Sequence, residues 1–152
     1  MRKTCFFIGH REALASLRPC VVAEVERHIT KFGVTDFTVG CYGGFDRLVA
    51  DVLREAKEKY PSITLTLLIP YHPSERKITL PTGFDRSFYP PGQETVPRRA
   101  AIVRANRYMI EHSECLIAFV EHPGNSRDML EYAQQREAKH LIHTCNLSKK
   151  GI

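Results

Sequence analysis

The sequence predicts an α/β fold: a single Rossmann-like, doubly wound, mainly parallel sheet of about five strands with helices on both faces. Three observations predict it. Short apolar runs alternate along the chain with longer stretches of helical period, the pattern of a parallel sheet with crossover helices. A glycine-rich turn, Gly40-Cys41-Tyr42-Gly43-Gly44-Phe45-Asp46, leads from a strand-like run into a strongly amphipathic segment. The length, 152 residues, suits one domain with one ordinary core, so residues 1–152 are read as a single unit.

Thr4 to Gly9 reads as a strand buried on both faces. The two basic residues before it resemble the start of a signal peptide, but the apolar run reaches Gly9-His10-Arg11 too soon for one. From Pro19 to Lys31 the pattern is helical, with Val21, Val22, Val25 and Ile29 on one side; Pro19 suits the first turn and Gly33 the stop. Thr35 to Val39 gives the second strand, which ends at the glycine turn. Phe45, Leu48, Val49, Val52, Leu53 and Ala56 then fall on one helical face until Tyr60-Pro61 stops the helix. Ile63 to Ile69 is the third strand.

Periodicity vanishes in the following segment, 71–97. It carries five prolines together with Tyr71, Phe84, Phe88 and Tyr89, and its aromatics favour a lid or binding loop over a disordered insertion. Beyond it, Arg98 to His112 reads as a helix, Cys115 to Val120 as a strand, Asp128 to Ala138 as a helix and Leu141 to Thr144 as a last short strand.

Composition narrows the class. An apolar share of 43% with 26% charged residues is that of a globular protein, and no run approaches the ~20 apolar residues of a membrane helix. Five cysteines without a Cys-x-x-Cys pair, and dispersed histidines, argue against a disulfide framework and a zinc site; a reducing cytoplasm is the expected compartment. The net charge of +5 favours anionic partners, either nucleotide or nucleic acid. Self-association is compatible with the sequence, which leaves the oligomeric state open.

Doubly wound sheets bind ligands outside the carboxyl ends of their strands, which selects four loops. In the glycine turn, Gly40, Gly43 and Gly44 expose main-chain N–H groups at a helix start, a setting that attracts phosphate, although turns also need glycine for conformation alone. Cys41 and Tyr42 lie inside the same turn. Asp46, in the first helical turn, complements the helix dipole, binds ribose hydroxyls, or acts as an acid or base. Gly9, His10 and Arg11 follow the first strand, where His10 titrates near neutrality and Arg11 clamps phosphate. Asn106 sits in the apolar stripe of its helix and must find a structural partner or a ligand. Gly124, Asn125 and Ser126 open a second anion-receptive helix start, with Glu131 about a turn further in.

Cys5-Phe6-Phe7-Ile8-Gly9-His10-Arg11, the turn from Gly40 to Asp46, Arg104-Ala105-Asn106-Arg107-Tyr108-Met109 and Leu130-Glu131-Tyr132-Ala133 occur in the order seen in YpsA-like proteins. The chain resembles this branch of the SLOG superfamily, named for the Smf/DprA and LOG proteins, over nearly its whole length. That resemblance implies a Rossmann-like fold whose glycine-rich loops hold nucleotides or nucleotide-derived ligands. LOG enzymes, which release a base from a nucleoside monophosphate, carry P-G-G-x-G-T-x-x-E. Aligned to it, this chain offers Pro123, Gly124 and Glu131, but has Asn125 and Arg127 for two glycines and Asp128 for threonine.

The leading expectation is a binding or sensing domain for a phosphorylated, ribose-containing ligand such as NAD, ADP-ribose or a nucleoside monophosphate, with no further cofactor required. Tyr71 or Tyr89 would stack on its base. The alternatives are a phosphoribohydrolase or related hydrolase using Glu131 or Asp46, and a single-stranded DNA binder whose arginines track the backbone while aromatics stack on the bases. The nearest thing to a basic cluster is Arg98, Arg99, Arg104 and Arg107 on one predicted helix, which is equally a solvated helix face.

Overall fold

The computed structural model describes residues 1–148; the last four residues of the expected domain, 149–152, lie outside it. Among the described residues the chain forms a six-stranded sheet: β1 (Thr4–Gly9), β2 (Asp36–Val39), β3 (Thr64–Leu68), β4 (Arg86–Phe88), β5 (Cys115–Phe119) and β6 (His143–Asn146). The helices are α1 (Arg18–Thr30), α2 (Gly44–Lys59), α3 (Ala101–Glu111) and α4 (Asn125–Glu137). Strand order is β4-β3-β2-β1-β5-β6, and every pairing is parallel.

The pleat of β1 explains the double winding. Successive side chains on a strand point to opposite faces. Cys5 and Phe7 accordingly join Val21 and Val25 of α1 and Val49 and Leu53 of α2 in one buried cluster. Phe6 and Ile8 join Ala105, Met109 and Ile110 of α3 and Leu130 and Ala133 of α4 in the other. A strand covered on both faces has no polar side to show, and Cys5 to Ile8 are all apolar and buried.

The sheet has one strand more than the sequence suggests. Arg86-Ser87-Phe88 carries no apolar alternation, because it is a short edge strand with two exposed side chains. Its place is fixed by main-chain bonds: the Asp85 N–H donates to the Leu65 carbonyl at 2.9 Å and the Ile69 N–H to the Phe88 carbonyl at 2.9 Å. Asp85 adds a side-chain clamp, accepting the Leu65 N–H at 2.8 Å and the Lys57 ammonium at 2.6 Å. The segment 71–97 is therefore partly built into the sheet.

Two boundaries also move. The last strand lies at His143–Asn146 rather than Leu141 to Thr144, because Leu141 is exposed beside a turn where His140 has φ 60°. Helix α4 starts at Asn125 rather than Asp128, which brings its first turn to the end of the sheet. After β4 the chain returns through α3 to the far side of β1, so β1 and β5 flank the point where the winding reverses.

Candidate functional site

A cavity of about 460 Å³ opens at the carboxyl ends of the strands, at that reversal point. Of the residues singled out from sequence, it is lined by Gly9, His10, Arg11, Gly40, Cys41, Tyr42, Gly43, Asp46, Asn106, Gly124, Asn125 and Ser126. Gly44 and Glu131 do not line it. Glu131 points from the second turn of α4 into solvent, 57% exposed and 3.9 Å from Arg127.

The two helix starts differ in a way their glycines did not reveal. At α2 the Gly44 N–H donates to the Arg11 carbonyl at 2.7 Å and the Phe45 N–H to the His10 carbonyl at 3.3 Å. Those donors are consumed by the loop after β1. A Cβ at Gly44 would lie 2.3 Å from the Arg11 oxygen, and one at Gly9 would lie 2.3 Å from the Phe45 ring, so these glycines serve close approach. The expectation that Gly44 lends its N–H to a ligand is corrected accordingly.

At α4 the situation is open. Gly124 takes φ 147° and ψ −170°, a region that only glycine enters freely, and it offers no side-chain cap. Asp128 is the first residue of the helix to donate back, to the Gly124 carbonyl at 3.1 Å. Among the described residues the N–H groups of Asn125, Ser126 and Arg127 have no acceptor, as the first turn of a helix leaves them. The Ser126 hydroxyl donates to the Gly9 carbonyl at 2.9 Å and pins this helix start to the end of β1.

Charge around the cavity favours anions at its rim and a proton at its floor. Arg11 and Arg99 both line it, and among the described residues neither guanidinium has an ion-pair or hydrogen-bond partner. Arg99 was legible only as part of a basic cluster. That cluster divides: Arg98 lies over the Tyr71 ring at 5.7 Å, whereas Arg107 pairs with Glu111 at 3.4 Å and covers Tyr132. On the floor, Asp46 accepts the Tyr42 N–H at 3.2 Å, and burial pushes its carboxyl up to about 6, against the smaller pull of that bond. The Cys41 thiol is raised to about 11 by burial and by Asp46, so it stays protonated.

His10 is 7% exposed, and its Nε2 accepts the Glu121 N–H at 2.8 Å. A ring nitrogen that accepts from an amide carries no proton, so the neutral ring is protonated at Nδ1. Burial, followed by the His122 ring stacked at 3.7 Å, lowers its pKa below the ordinary value. His10 is thus a neutral donor rather than a group titrating near pH 7. Asn106 is half-buried on α3 and, among the described residues, its amide makes no hydrogen bond, so the structural partner open to it in the sequence is not there.

No group of three or more His, Cys, Asp or Glu among the described residues is arranged to hold a metal ion. All five cysteines are free thiols, and no helix of the described residues is long and apolar enough to cross a membrane. No protein-family model matches the chain, and no curated protein matches its sequence. The class defined is therefore that of the fold: a Rossmann-like α/β protein with an anion-receptive cavity at its switch point.

Proposed function

We propose that this cavity binds a nucleotide or nucleotide-derived ligand, phosphorylated and ribose-containing, of the kind represented by nucleoside monophosphates, NAD and ADP-ribose. The observation that carries the reading is the uncapped first turn of α4, where the N–H groups of Asn125 and Ser126, at the positive end of the helix dipole, border a cavity shared with Arg11 and Arg99. Phosphate sits on Asn125 and Ser126, the arginines neutralise it, and Asp46 accepts ribose hydroxyls from the floor. The resemblance to YpsA-like members of the SLOG superfamily supports the same reading.

Calorimetry with nucleoside monophosphates, NAD and ADP-ribose tests it. Arg11→Ala is expected to weaken binding roughly tenfold or more, as loss of a charge-assisted bond does. Binding that is absent, or indifferent to Arg11, contradicts it.

Asp46 favours a second reading, hydrolysis of the bound ligand, because a carboxyl with a pKa of about 6 at a cavity floor is suited to acid–base work. Glu131 has no part in that reaction, since it stands outside the cavity. Chromatography of ligand after long incubation separates the two readings: intact ligand leaves binding alone.

A further inference from the structure

A smaller annex of about 230 Å³ lies beside the main cavity, between the segment that follows β3 and the start of α3. Pro70 lines both spaces, and Tyr42 of the main cavity meets Tyr71 of the annex edge to face at 5.9 Å. Its wall contains Gln93, which is 4% exposed. The Gln93 Nε2 donates to the Pro70 carbonyl at 3.1 Å and to the Ala101 carbonyl at 2.6 Å. Two carbonyls on that nitrogen settle which end of the amide is which. Its Oε1 takes no hydrogen bond among the described residues and is not sealed from solvent, so it is left to accept from a group bound in the annex that Gln93 lines.

Glu75 and Glu94 line the same space, and neither carboxylate forms an ion pair among the described residues. The annex therefore presents three acceptors together, with Arg98 as the donor at its edge. Stacking falls to Tyr89, because Tyr71 is already covered by Arg76 at 4.4 Å and by Arg98. His72 meets the Tyr89 ring edge-on at 5.4 Å.

Resting on the nucleotide reading of the main cavity, and narrowing it away from adenine-bearing ligands such as NAD and ADP-ribose, we propose that the annex is the base subsite and that it selects guanine. Guanine places N1–H and its exocyclic amino group side by side, which a carboxylate accepts through two parallel bonds, and its O6 faces the guanidinium. Adenine and cytosine set an acceptor next to their amino group, so a wall of acceptors meets a lone pair. Uracil flanks its single N–H with two carbonyls. The span fits as well: Ser126 pins the start of α4 to the end of β1, and from β1 to β3 is two strand spacings, about 10 Å, within the reach of a nucleotide with its phosphate at one end and its base at the other.

Calorimetry of the whole chain with GMP, IMP and AMP tests the proposal, because IMP differs from GMP only in lacking the amino group. The wild type is expected to bind GMP roughly tenfold or more tightly than IMP or AMP. In Glu75→Gln/Glu94→Gln, which changes two exposed side chains, that preference disappears. Equal binding of the three, or a preference that survives in the double variant, overturns the guanine subsite and leaves the nucleotide reading standing. Binding of none overturns both.

Discussion

The Nε2 of His10 accepts the main-chain N–H of Glu121 at 2.8 Å, and this single bond ties the end of β1 to the loop after β5 across the floor of the cavity. A side chain in this position holds two of the binding loops in register. His10→Ala is expected to destabilise the protein by about 1–3 kcal/mol, because it leaves that N–H without its buried acceptor. Urea unfolding measures it. The pH dependence follows from the lowered pKa: the unfolded chain takes up a proton near pH 6.5, before the native ring does, so this contribution is complete above pH 6.5 and is lost as pH falls below it. The ring resonances of His10 should remain those of a neutral imidazole below pH 6.5.

Asp46 works in the opposite sense. Its carboxyl is raised from 3.8 to about 6, so the native state keeps a proton that the unfolded chain has already released. Stability therefore falls as pH rises between these values, by at most something on the order of 3 kcal/mol. Asp46→Asn is expected to be more stable than the parent above pH 6 and to lose that advantage below about pH 4, while binding the ribose-containing ligand more weakly. Thermal melts across pH, paired with calorimetry, check both halves; a variant that is never more stable contradicts the buried carboxyl.

Neighbouring glycines separate by role. Gly44→Ala drives a Cβ to 2.3 Å from the Arg11 carbonyl and is expected to cost about 1–3 kcal/mol or more. Gly43→Ala meets nothing closer than 3.4 Å, at an extended φ of −159° that any residue adopts, and is expected to stay within about 0.5 kcal/mol. Comparable losses from both would contradict this division.

Gly124→Ala meets no neighbour within 4 Å, so its cost is conformational, about 1–3 kcal/mol at φ 147°. Relief of that strain turns the first turn of α4, and ligand affinity is expected to drop with stability. Glu131→Gln, by contrast, is expected to change neither binding nor ligand integrity, because the side chain lies in solvent beside Arg127.

Where burial repeats with a regular period, the chain was legible before its structure. The alternation of Cys5 and Phe7 with Phe6 and Ile8, and the stripe from Phe45 to Ala56, predict two covered sheet faces and a packed helix, and both are present. The edge strand Arg86–Phe88 escaped because only main-chain bonds and Asp85 define it. Glycine positions located the loops around the cavity, yet composition does not say where an N–H goes. Whether Gly44 offers its hydrogen to solvent or to Arg11 depends on a contact between residues far apart in the chain. Gln93 was silent for the same reason: its meaning arises only when Pro70 and Ala101 capture its nitrogen.

The most direct measurement is an amide chemical-shift map of the isotope-labelled protein titrated with a nucleoside monophosphate and, separately, with the matching nucleoside. If the ligand's phosphate rests on the open start of α4, the amides of Asn125, Ser126 and Arg127 shift with the nucleotide and stay in place with the nucleoside. Shifts centred instead on Gly43 to Asp46, or equal for the two ligands, would contradict it.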